Sequence, residues 1–412
     1  MSSQGSASPA THGAPDAAPD VSVVLAGGGT AGHVSPMIAI ARAVERLMPQ
    51  ARVSMIGTEV GLETRLVPEA GYALDTVEKV PMPRRPSRDL LSVPARLRRA
   101  VAGAAEILRR READVVVGVG GYVCTPVYLA ARRLGVPIVV HEANARPGLA
   151  NRLGARFAAH VGTAFEGTPL KRAEWVGMPM SRQISQLDRD AARASAREQL
   201  GLDPERTTLV VTGGSSGALS LNSAVASAVD DLLSGGAQVL HLTGRDKAVT
   251  VADAGSATGS ETGADPSDGP SDADAPLSRP GYHQREYLDG MELAYAAADL
   301  IIARSGAATV CEVAAVTLPA VFVPLPVGNG EQELNARELV DAGGALLVKD
   351  EHFTRAWIRR NVVPLLEDPR MLLTMRDHAA ERGIADADER VASAALTAAG
   401  VPEDRLPADE AR

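Results

Sequence analysis

The stretch that decides the fold is VSVVLAGGGTAGHVSPMIAIARAVERL, residues 21–47. A run of aliphatic residues ends in a cluster of glycines, and apolar residues then recur at helical spacing. A strand, a glycine turn and a helix in this order are typical of the first unit of a parallel α/β domain. Gly27, Gly29 and Gly32 also have the G-x-G-x-x-G spacing of a dinucleotide-binding turn, so the first hypothesis is a nicotinamide-dependent oxidoreductase.

Further glycine loops weaken this hypothesis. We name the first turn, 27–32, loop one, and two similar turns follow later strands: loop two at 118–123 and loop three at 213–218. Glycines let backbone N–H groups approach an anion, and the start of the next helix favours negative charge. A nicotinamide enzyme also needs an acidic residue at the end of the second strand, and Glu59 comes late there. The loops predict two phosphorylated ligands in facing crevices rather than one dinucleotide.

Short strands alternate with longer helices twice along the chain. We predict an α/β fold of two doubly wound parallel-sheet domains, 20–178 and 179–400. The predicted strands are 21–27, 52–57, 114–120 and 137–142 in the first domain, then 207–214, 238–244, 299–306 and 319–326 in the second. Ser35 followed by Pro36 has the pattern of an N-cap and a first helical residue, so the first helix is predicted to begin there.

Composition limits the remaining possibilities. The net charge of −9 argues against a nucleic-acid-binding protein. Cys124 and Cys311 lie outside any metal-ligand spacing, which fits a reducing compartment. No apolar run reaches the ~18 residues that cross a bilayer. The segments 1–19 and 251–280 have little to bury and are predicted to be disordered, and 401–412 is predicted to be a dispensable tail.

Six motifs resemble, in order and spacing, those of the MurG family of bacterial N-acetylglucosaminyltransferases. They are GGTAGHVSP (28–36), GVGGYVCTP (118–126), HEAN (141–144), GGSSGA (213–218), RSGAATVCE (304–312) and EQELNA (331–336). The resemblance covers about residues 20–400 and implies a GT-B architecture, with the two domains facing each other across a cleft. It also implies inverting transfer of GlcNAc from UDP-GlcNAc to the 4-hydroxyl of the N-acetylmuramyl residue of lipid I, which gives lipid II in peptidoglycan synthesis. No cofactor is implied.

The resemblance assigns a donor site to the second domain. It places Ser215 at the diphosphate, Glu312 at the ribose hydroxyls, the Leu288 backbone at the uracil, and Gln332 and Asn335 at the sugar hydroxyls. The other implied donor contacts are Thr30, Ala31, Gly32, Asn144, Arg182, Ala307, Ala308 and Thr309.

The resemblance assigns the acceptor pyrophosphate to loops one and two, at Gly28, Gly29, Gly120, Gly121 and Tyr122.

Attack of a hydroxyl with inversion needs a base and a way to stabilise the departing UDP. His33 is the leading candidate for the base, because imidazole titrates near the working pH, and its alternative role is to orient or bind a phosphate. Glu142 is the next candidate, and its alternative role is that of a buried carboxylate at a strand end. No pair of carboxylates has the pattern of a metal site, so we expect metal-independent chemistry.

Residues 79–111 interleave nine arginines with aliphatic side chains. This pattern is typical of contact with anionic lipid headgroups, or of an ordinary solvated amphipathic helix. The predicted contacts are Arg84, Arg85, Arg88, Leu90 and Leu91. Because lipid I carries a polyprenyl chain, the resemblance implies a peripheral protein on the cytoplasmic face of the cell membrane. The expected partners are UDP-GlcNAc, lipid I, an anionic membrane surface, and cell-wall and division proteins.

Three other functions stay open. A UDP-GlcNAc 2-epimerase shares the donor and the two-domain architecture, but needs neither a second anion cradle nor a membrane-facing stretch. A nicotinamide oxidoreductase is disfavoured by the repeated loops. A non-catalytic sugar-nucleotide sensor is disfavoured by the candidate base and the ligands for sugar hydroxyls.

Overall fold

The computed structural model describes residues 21–80, 93–214, 217–251 and 279–406. The segment 1–19 and residues 252–278 of the acidic insert, both predicted to be disordered, lie outside these ranges, as do residues 407–412 of the predicted tail. Within the tail, Val401 is buried and Glu403–Arg405 forms a 3-10 helix. The predicted tail therefore contributes Val401 to the core of the first domain.

The first sheet carries the first glycine loops. Its strands are β1 (Ser22–Ala26), β2 (Arg52–Gly57), β3 (Ala73–Thr76), β4 (Val115–Gly118), β5 (Ile138–Glu142), β6 (His160–Thr163) and β7 (Ala173–Trp175). They pair in parallel in the order β3-β2-β1-β4-β5-β6-β7. The order reverses between β1 and β4, and ligands of open α/β sheets bind at such a switch point. Loops one and two follow these two strands.

The second sheet repeats the arrangement. Its strands are β8 (Thr208–Thr212), β9 (Gln238–Leu242), β10 (Tyr282–Arg285), β11 (Leu300–Ala303), β12 (Ala320–Phe322) and β13 (Ala345–Leu347). They are parallel in the order β10-β9-β8-β11-β12-β13, so the reversal lies between β8 and β11. Loop three follows β8. The predicted fold class, two doubly wound parallel sheets, is confirmed.

Helices cover both faces of each sheet, which is why the central strands are buried. Those of the first half are α1 (Ala31–Leu47), α2 (Glu63–Glu69), α3 (Val93–Arg110), α4 (Cys124–Leu134) and α5 (Leu149–Gly154). Those of the second half are α6 (Arg182–Ser185), α7 (Arg189–Leu200), α8 (Leu219–Ser227), α9 (Val229–Ser234), α10 (Met291–Ala297), α11 (Ala307–Ala315), α12 (Glu331–Asp341), α13 (Arg355–Asn361), α14 (Val363–Leu366), α15 (Pro369–Ala380) and α16 (Ala387–Ala398).

The first helix begins earlier than its sequence pattern predicts. Thr30 has an extended backbone and is the N-cap, α1 starts at Ala31, and Pro36 lies inside the helix. The prediction that the helix starts at Ser35 and Pro36 is therefore wrong. As a result His33 lies in the first turn of α1, where the helix dipole is most positive.

The last helix returns to the first domain. Val391, Ala392, Ala395 and Leu396 of α16 belong to the same buried cluster as β1 and α1. The predicted second domain, 179–400, therefore needs a correction, because α16 packs on the first sheet and the chain crosses between the domains twice.

Candidate active site

Loops one and two meet at the edge of the first sheet. Gly121 has φ of +88°, and a Cβ built on it would lie 2.8 Å from the carbonyl oxygen of Gly28. Only glycine allows this approach. The exposed ring of Tyr122 follows, with the ammonium group of Lys79 at 6.0 Å from its centroid. The residues predicted to hold the acceptor pyrophosphate, Gly28, Gly29, Gly120, Gly121 and Tyr122, thus lie on one edge, next to the exposed start of α1 at Thr30 and Gly32.

His33 lies between the two loops. Its Nδ1 is 3.2 Å from the hydroxyl oxygen of Thr30. On the other side of the ring, a Cβ built on Gly120 would lie 3.1 Å from Nε2 of His33. Gly120 itself has φ of +103°. The ring is half-buried. The imidazole is therefore held against the backbone of loop two, at the positive end of α1.

The ionisation of His33 is set by opposing influences. Burial lowers its pKa, while a hydrogen bond to the backbone of Gly28 and the charges of Glu331 and Glu63 raise it. Glu331 is the first residue of α12 in the second domain. A charge on the opposite side of the cleft therefore also affects the pKa of His33. Because burial is the largest of these influences, the neutral form of His33 is favoured, and only that form can accept a proton.

Glu63 is a site residue that the sequence analysis missed. Its carboxylate is completely buried. Its Oε2 accepts the backbone N–H of Gly29 at 2.8 Å, and its Oε1 accepts the N–H and the hydroxyl of Thr58 at 3.1 and 2.7 Å. Three hydrogen bonds hold the pKa of Glu63 below its usual value despite burial. Glycines at positions 57 and 61, shortly before it in sequence, were the available signal.

This contact corrects the predicted role of Gly29. Its N–H already donates to a buried carboxylate, so it is not free to donate to a pyrophosphate. Loop one instead offers an anion the first turn of α1, where N–H groups lack partners within the helix.

Glu142 ends β5 and is almost fully buried. Its Oε1 accepts from the backbone N–H of Asn144 at 2.9 Å, and its Oε2 accepts from the N–H of Gly148 and from Nδ2 of Asn151, both at 3.0 Å. Burial raises the pKa of Glu142, and these donors lower it. The carboxylate shapes the turn that carries Asn144, which matches its alternative role as a buried strand-end group.

In the second domain, α11 starts beside β11 with Gly306 as its N-cap. Ala307, Ala308 and Thr309, the predicted diphosphate neighbours, form its first turn, where the dipole favours an anion. Glu312 lies one turn further along. Its Oε2 accepts the hydroxyl of Tyr295 at 2.7 Å, and burial raises its pKa to about 7.

A buried arginine missed by the sequence analysis joins three loops of this site. The Nη1 of Arg304 donates to the carbonyl oxygens of Val323 and Pro324, both at 3.0 Å, and its Nη2 donates to the hydroxyl of Ser220 at 2.9 Å. The same guanidinium pairs with Asp350. The start of α8 after loop three, the segment before α11 and the end of β12 are thereby fixed relative to one another.

Asn335 connects the two domains. Its Oδ1 accepts the backbone N–H of Ala145 at 3.0 Å, and its Nδ2 lies 3.4 Å from Oδ1 of Asn144. A second link runs from Arg146 to the carbonyl oxygen of Asn329, at 2.7 Å. The oxygen Oε1 of Gln332 accepts the N–H of Leu325 at 2.9 Å. Of the two predicted sugar ligands on α12, Asn335 therefore lies beside Asn144 of the first domain, whereas Gln332 contacts the backbone of Leu325.

Other predicted donor residues are less closely grouped. Leu288 is half-buried in the turn after β10. Arg182 lies at the hinge, 3.3 Å from Glu389 of α16, and this pair would have to open before the guanidinium reached a phosphate. Ser215 lies outside the described residues.

The basic stretch 79–111 is only partly described. Arg84, Arg85, Arg88, Leu90 and Leu91 lie outside the described residues. On α3, Arg96 and Arg99 pair with Glu78. Two further arginines at the end of the stretch, Arg110 and Arg111, pair with Asp75. Part of the positive charge counted from the sequence is therefore neutralised locally.

Two kinds of feature are absent from the described ranges. No helix there combines the length and the apolar character needed to cross a bilayer. No three histidine, cysteine or acidic side chains group there in a way that could hold a metal ion.

The two-sheet fold with a cleft at paired switch points is that of the two-domain glycosyltransferases. Several solved structures share it. The chain matches a crystal structure of Acinetobacter baumannii MurG with a TM-score of 0.68 and 26% identity, covering 92% of this chain and 100% of that one. The kitacinnamycin glycosyltransferase matches with 15% identity and a TM-score of 0.61. A UDP-N-acetylglucosamine 2-epimerase from Listeria monocytogenes matches with 13% identity and a TM-score of 0.62. These two similarities show the fold alone.

Sequence relatives define the family. The glycosyltransferase family 28 N-terminal domain matches residues 23–163, and the family 28 C-terminal domain matches residues 208–391. A relative from Paenarthrobacter aurescens is 54% identical over 94% of this chain and 99% of its own length. A relative from Nocardioides is 53% identical over 91% of this chain and 97% of its own length. Both are named UDP-N-acetylglucosamine–N-acetylmuramyl-(pentapeptide) pyrophosphoryl-undecaprenol N-acetylglucosamine transferase. The chain belongs to glycosyltransferase family 28.

Proposed function

We propose that this glycosyltransferase moves GlcNAc from UDP-GlcNAc to the 4-hydroxyl of the N-acetylmuramyl residue of lipid I and so makes lipid II. The observation that carries the proposal is the pairing of two anion-binding edges across one cleft. Loops one and two with the start of α1 suit the acceptor pyrophosphate, and loop three with the start of α11 suits the donor diphosphate. The names of relatives about half identical over nearly the whole chain agree with this reaction.

The proposed mechanism is a single displacement. His33 accepts the proton of the acceptor hydroxyl as its oxygen attacks the anomeric carbon of GlcNAc, and the bond from that carbon to the UDP oxygen breaks. The carbon is inverted and UDP leaves as an anion. The start of α11 stabilises the negative charge that develops on UDP. The neutral state favoured at His33 suits the role of base.

In this proposal Glu142 is a positioning residue. Three strong donors already occupy its two oxygens, so a further proton would cost hydrogen bonds. It supports the turn that presents Asn144 to the donor sugar and to Asn335 of the other domain.

We propose that the acceptor is met at a membrane surface, through the basic and apolar residues near 84–91. Of the arginines on α3, Arg98 and Arg109 are exposed, which adds charge beyond the paired ones. Pelleting with anionic vesicles tests this. Replacing Arg84, Arg85 and Arg88 by Glu should abolish binding, and the matched change of Arg337, Arg359 and Arg360 in the second domain should leave it. Equal binding of both variants would contradict the surface.

One assay separates the candidate reactions. Radiolabelled UDP-GlcNAc is incubated with a short-chain lipid I analogue, in excess EDTA and without NAD. The proposal expects labelled disaccharide product that depends on the acceptor. Formation of UDP-ManNAc without acceptor would indicate the epimerase, a need for NAD would indicate an oxidoreductase, and donor binding without turnover would indicate a sensor.

A further inference from the structure

Glu312, the residue assigned to the ribose hydroxyls of the donor, has one hydrogen-bond donor among the described residues. The hydroxyl of Tyr295 on α10 donates to its Oε2 at 2.7 Å. Its other oxygen, Oε1, accepts no hydrogen bond from any described residue. A carboxylate offers about four lone-pair sites, and only one of them is occupied here. The half-buried carboxylate is thus held at one oxygen and can accept further hydroxyl groups.

The side chain that donates this bond is itself firmly held. Tyr295 is 1% exposed and packs in a buried cluster of the second domain. The distance of 2.7 Å is that of a strong hydrogen bond from a hydroxyl to an ionised oxygen. The phenol keeps its proton, because burial and the charge of Glu312 raise the pKa of Tyr295 well above its usual value. Tyr295 is therefore a fixed donor that solvent does not reach.

Arg189, the first residue of α7, fastens α10 to α11 at their carboxyl ends. Its Nε donates to the carbonyl oxygen of Tyr295 and its Nη1 to that of Thr317, both at 3.0 Å. Its Nη2 donates to the carbonyl oxygen of Ala298. Ala298 directly follows α10, and Thr317 lies just beyond α11. The helices that carry Tyr295 and Glu312 therefore cannot shift against each other without breaking these bonds.

We propose that Tyr295 is the positioning residue of Glu312 and sets the preference of the donor site for a ribonucleotide. Its hydroxyl fixes Oε2, which leaves Oε1 and the second lone pair of Oε2 for the two hydroxyls of the ribose. Tyr295 does not touch the donor and acts only through the carboxylate. The helix that carries it follows the turn of Leu288, whose backbone is assigned to the uracil, so one segment supports the contacts to both parts of the nucleoside.

The inference deepens the proposed function, since it rests on the ribose of UDP-GlcNAc being the ligand of Glu312. The test measures binding of the donor without turnover, so the two failures can be told apart. A protein that makes no disaccharide would end the proposed function, while its preference for a ribose over a deoxyribose would still be measurable.

The test compares two donors that differ by one ribose hydroxyl. Calorimetry gives the Kd of UDP-GlcNAc and of its 2′-deoxyuridine analogue for the full-length wild type and for Tyr295→Phe. The wild type should bind the ribonucleotide at least about tenfold more tightly, because a site built to bond a hydroxyl rejects a ligand that lacks it. In Tyr295→Phe this ratio should fall below about threefold, through weaker binding of UDP-GlcNAc. The kcat at saturating UDP-GlcNAc should stay within about twofold, because the diphosphate separates the ribose from the reacting carbon.

Tyr282→Phe is the matched control. Tyr282 is also fully buried in the second domain, but in a different cluster, and its hydroxyl lies 2.7 Å from Nδ1 of His241. This variant also loses a buried hydrogen bond, and it should keep the wild-type preference for the ribose. A folded Tyr295→Phe protein with the wild-type ratio of Kd values would overturn the inference, and so would an equal fall of the ratio in Tyr282→Phe.

A measurement on the unaltered protein covers the case in which Tyr295→Phe fails to fold. The chain has six tyrosines, so carbon-13 at tyrosine Cζ gives six NMR resonances. That of Tyr295 is assigned by elimination, after each of the other tyrosines is replaced by Phe in turn. Saturating UDP-GlcNAc should shift this resonance more than the saturating 2′-deoxyuridine analogue does, because the buried ring is affected by the ribose only through Glu312. Equal shifts with both donors, or no shift with either, would contradict the coupling.

Discussion

The side chain of Asn335 in the second domain accepts the backbone N–H of Ala145 in the first, at 3.0 Å. The amide is almost fully buried and also lies within reach of Asn144. A side chain assigned to the donor sugar therefore also fixes the relative position of the two domains. If Asn335 binds the donor sugar as proposed, donor binding and domain alignment are coupled at this residue.

Replacing Asn335 should reveal both roles. Asn335→Ala leaves the buried N–H of Ala145 without a partner, which costs about 1–3 kcal/mol of unfolding free energy. We expect a lower melting temperature and a KM for UDP-GlcNAc raised at least about tenfold. Arg337→Ala, at an exposed position of the same helix, is the control and should change neither quantity. A normal KM and melting temperature in Asn335→Ala would refute the coupling.

The two candidate bases can be separated by comparing stability with turnover. His33→Asn should lower kcat by about 10²–10⁴, the usual contribution of a general base, with a melting temperature near that of the wild type. Glu142→Gln should instead destabilise the fold by about 1–3 kcal/mol, because amide hydrogens would face the N–H donors of the turn. Its kcat per folded molecule should stay within about tenfold of wild type. The opposite pattern would make Glu142 the base.

Gly120 should be irreplaceable for catalysis rather than for folding. In Gly120→Ala the new methyl group would lie 3.1 Å from Nε2 of His33. Gly135→Ala is the matched control: φ is +75° there, also positive, but no atom lies within 4 Å. Both variants should lose roughly 1 kcal/mol of stability through backbone strain. Only Gly120→Ala should lose kcat, by at least about tenfold in a steady-state assay, and equal losses of kcat would argue against the position of His33.

Donor affinity should depend on pH through Glu312. Burial raises the pKa of this carboxyl to about 7, and only the ionised form offers two acceptors to a ribose diol. The KM for UDP-GlcNAc should therefore rise as the pH falls through 7, by up to about tenfold between pH 8 and pH 6. The diphosphate of UDP-GlcNAc carries no proton in this range. Glu312→Gln should give a high KM that is independent of pH, and a persisting pH dependence would exclude Glu312 as its source.

Much of the fold could be predicted because its pattern is local. Strand, glycine loop and helix recur in both halves, and the strands next to each switch point are continuous apolar runs that any parallel sheet requires. The strands that were missed, such as β3 with the sequence ALDT and partly exposed residues, lie toward sheet edges and carry no such run. The start of α1 was misplaced because an N-cap pattern is only a local preference, while the extended Thr30 sets the true start.

The site was predictable only where its residues lie in the loops themselves. The positions of His33 and of the glycines around it follow from one continuous stretch. The roles of Glu63 and Arg304 depend on contacts between residues far apart in sequence, as between Glu63 and Gly29. The return of α16 to the first domain is another long-range feature, since only tertiary packing brings Leu396 beside α1.

Inverting transfer to a muramyl hydroxyl is tested most directly by the structure of the product. Unlabelled UDP-GlcNAc and a lipid I analogue are converted by the purified protein, and the disaccharide is examined by proton NMR. We expect a GlcNAc residue joined at the 4-oxygen of the muramyl residue, with the large anomeric coupling of a β linkage. An α linkage, a different linkage position or release of free sugar alone would contradict it.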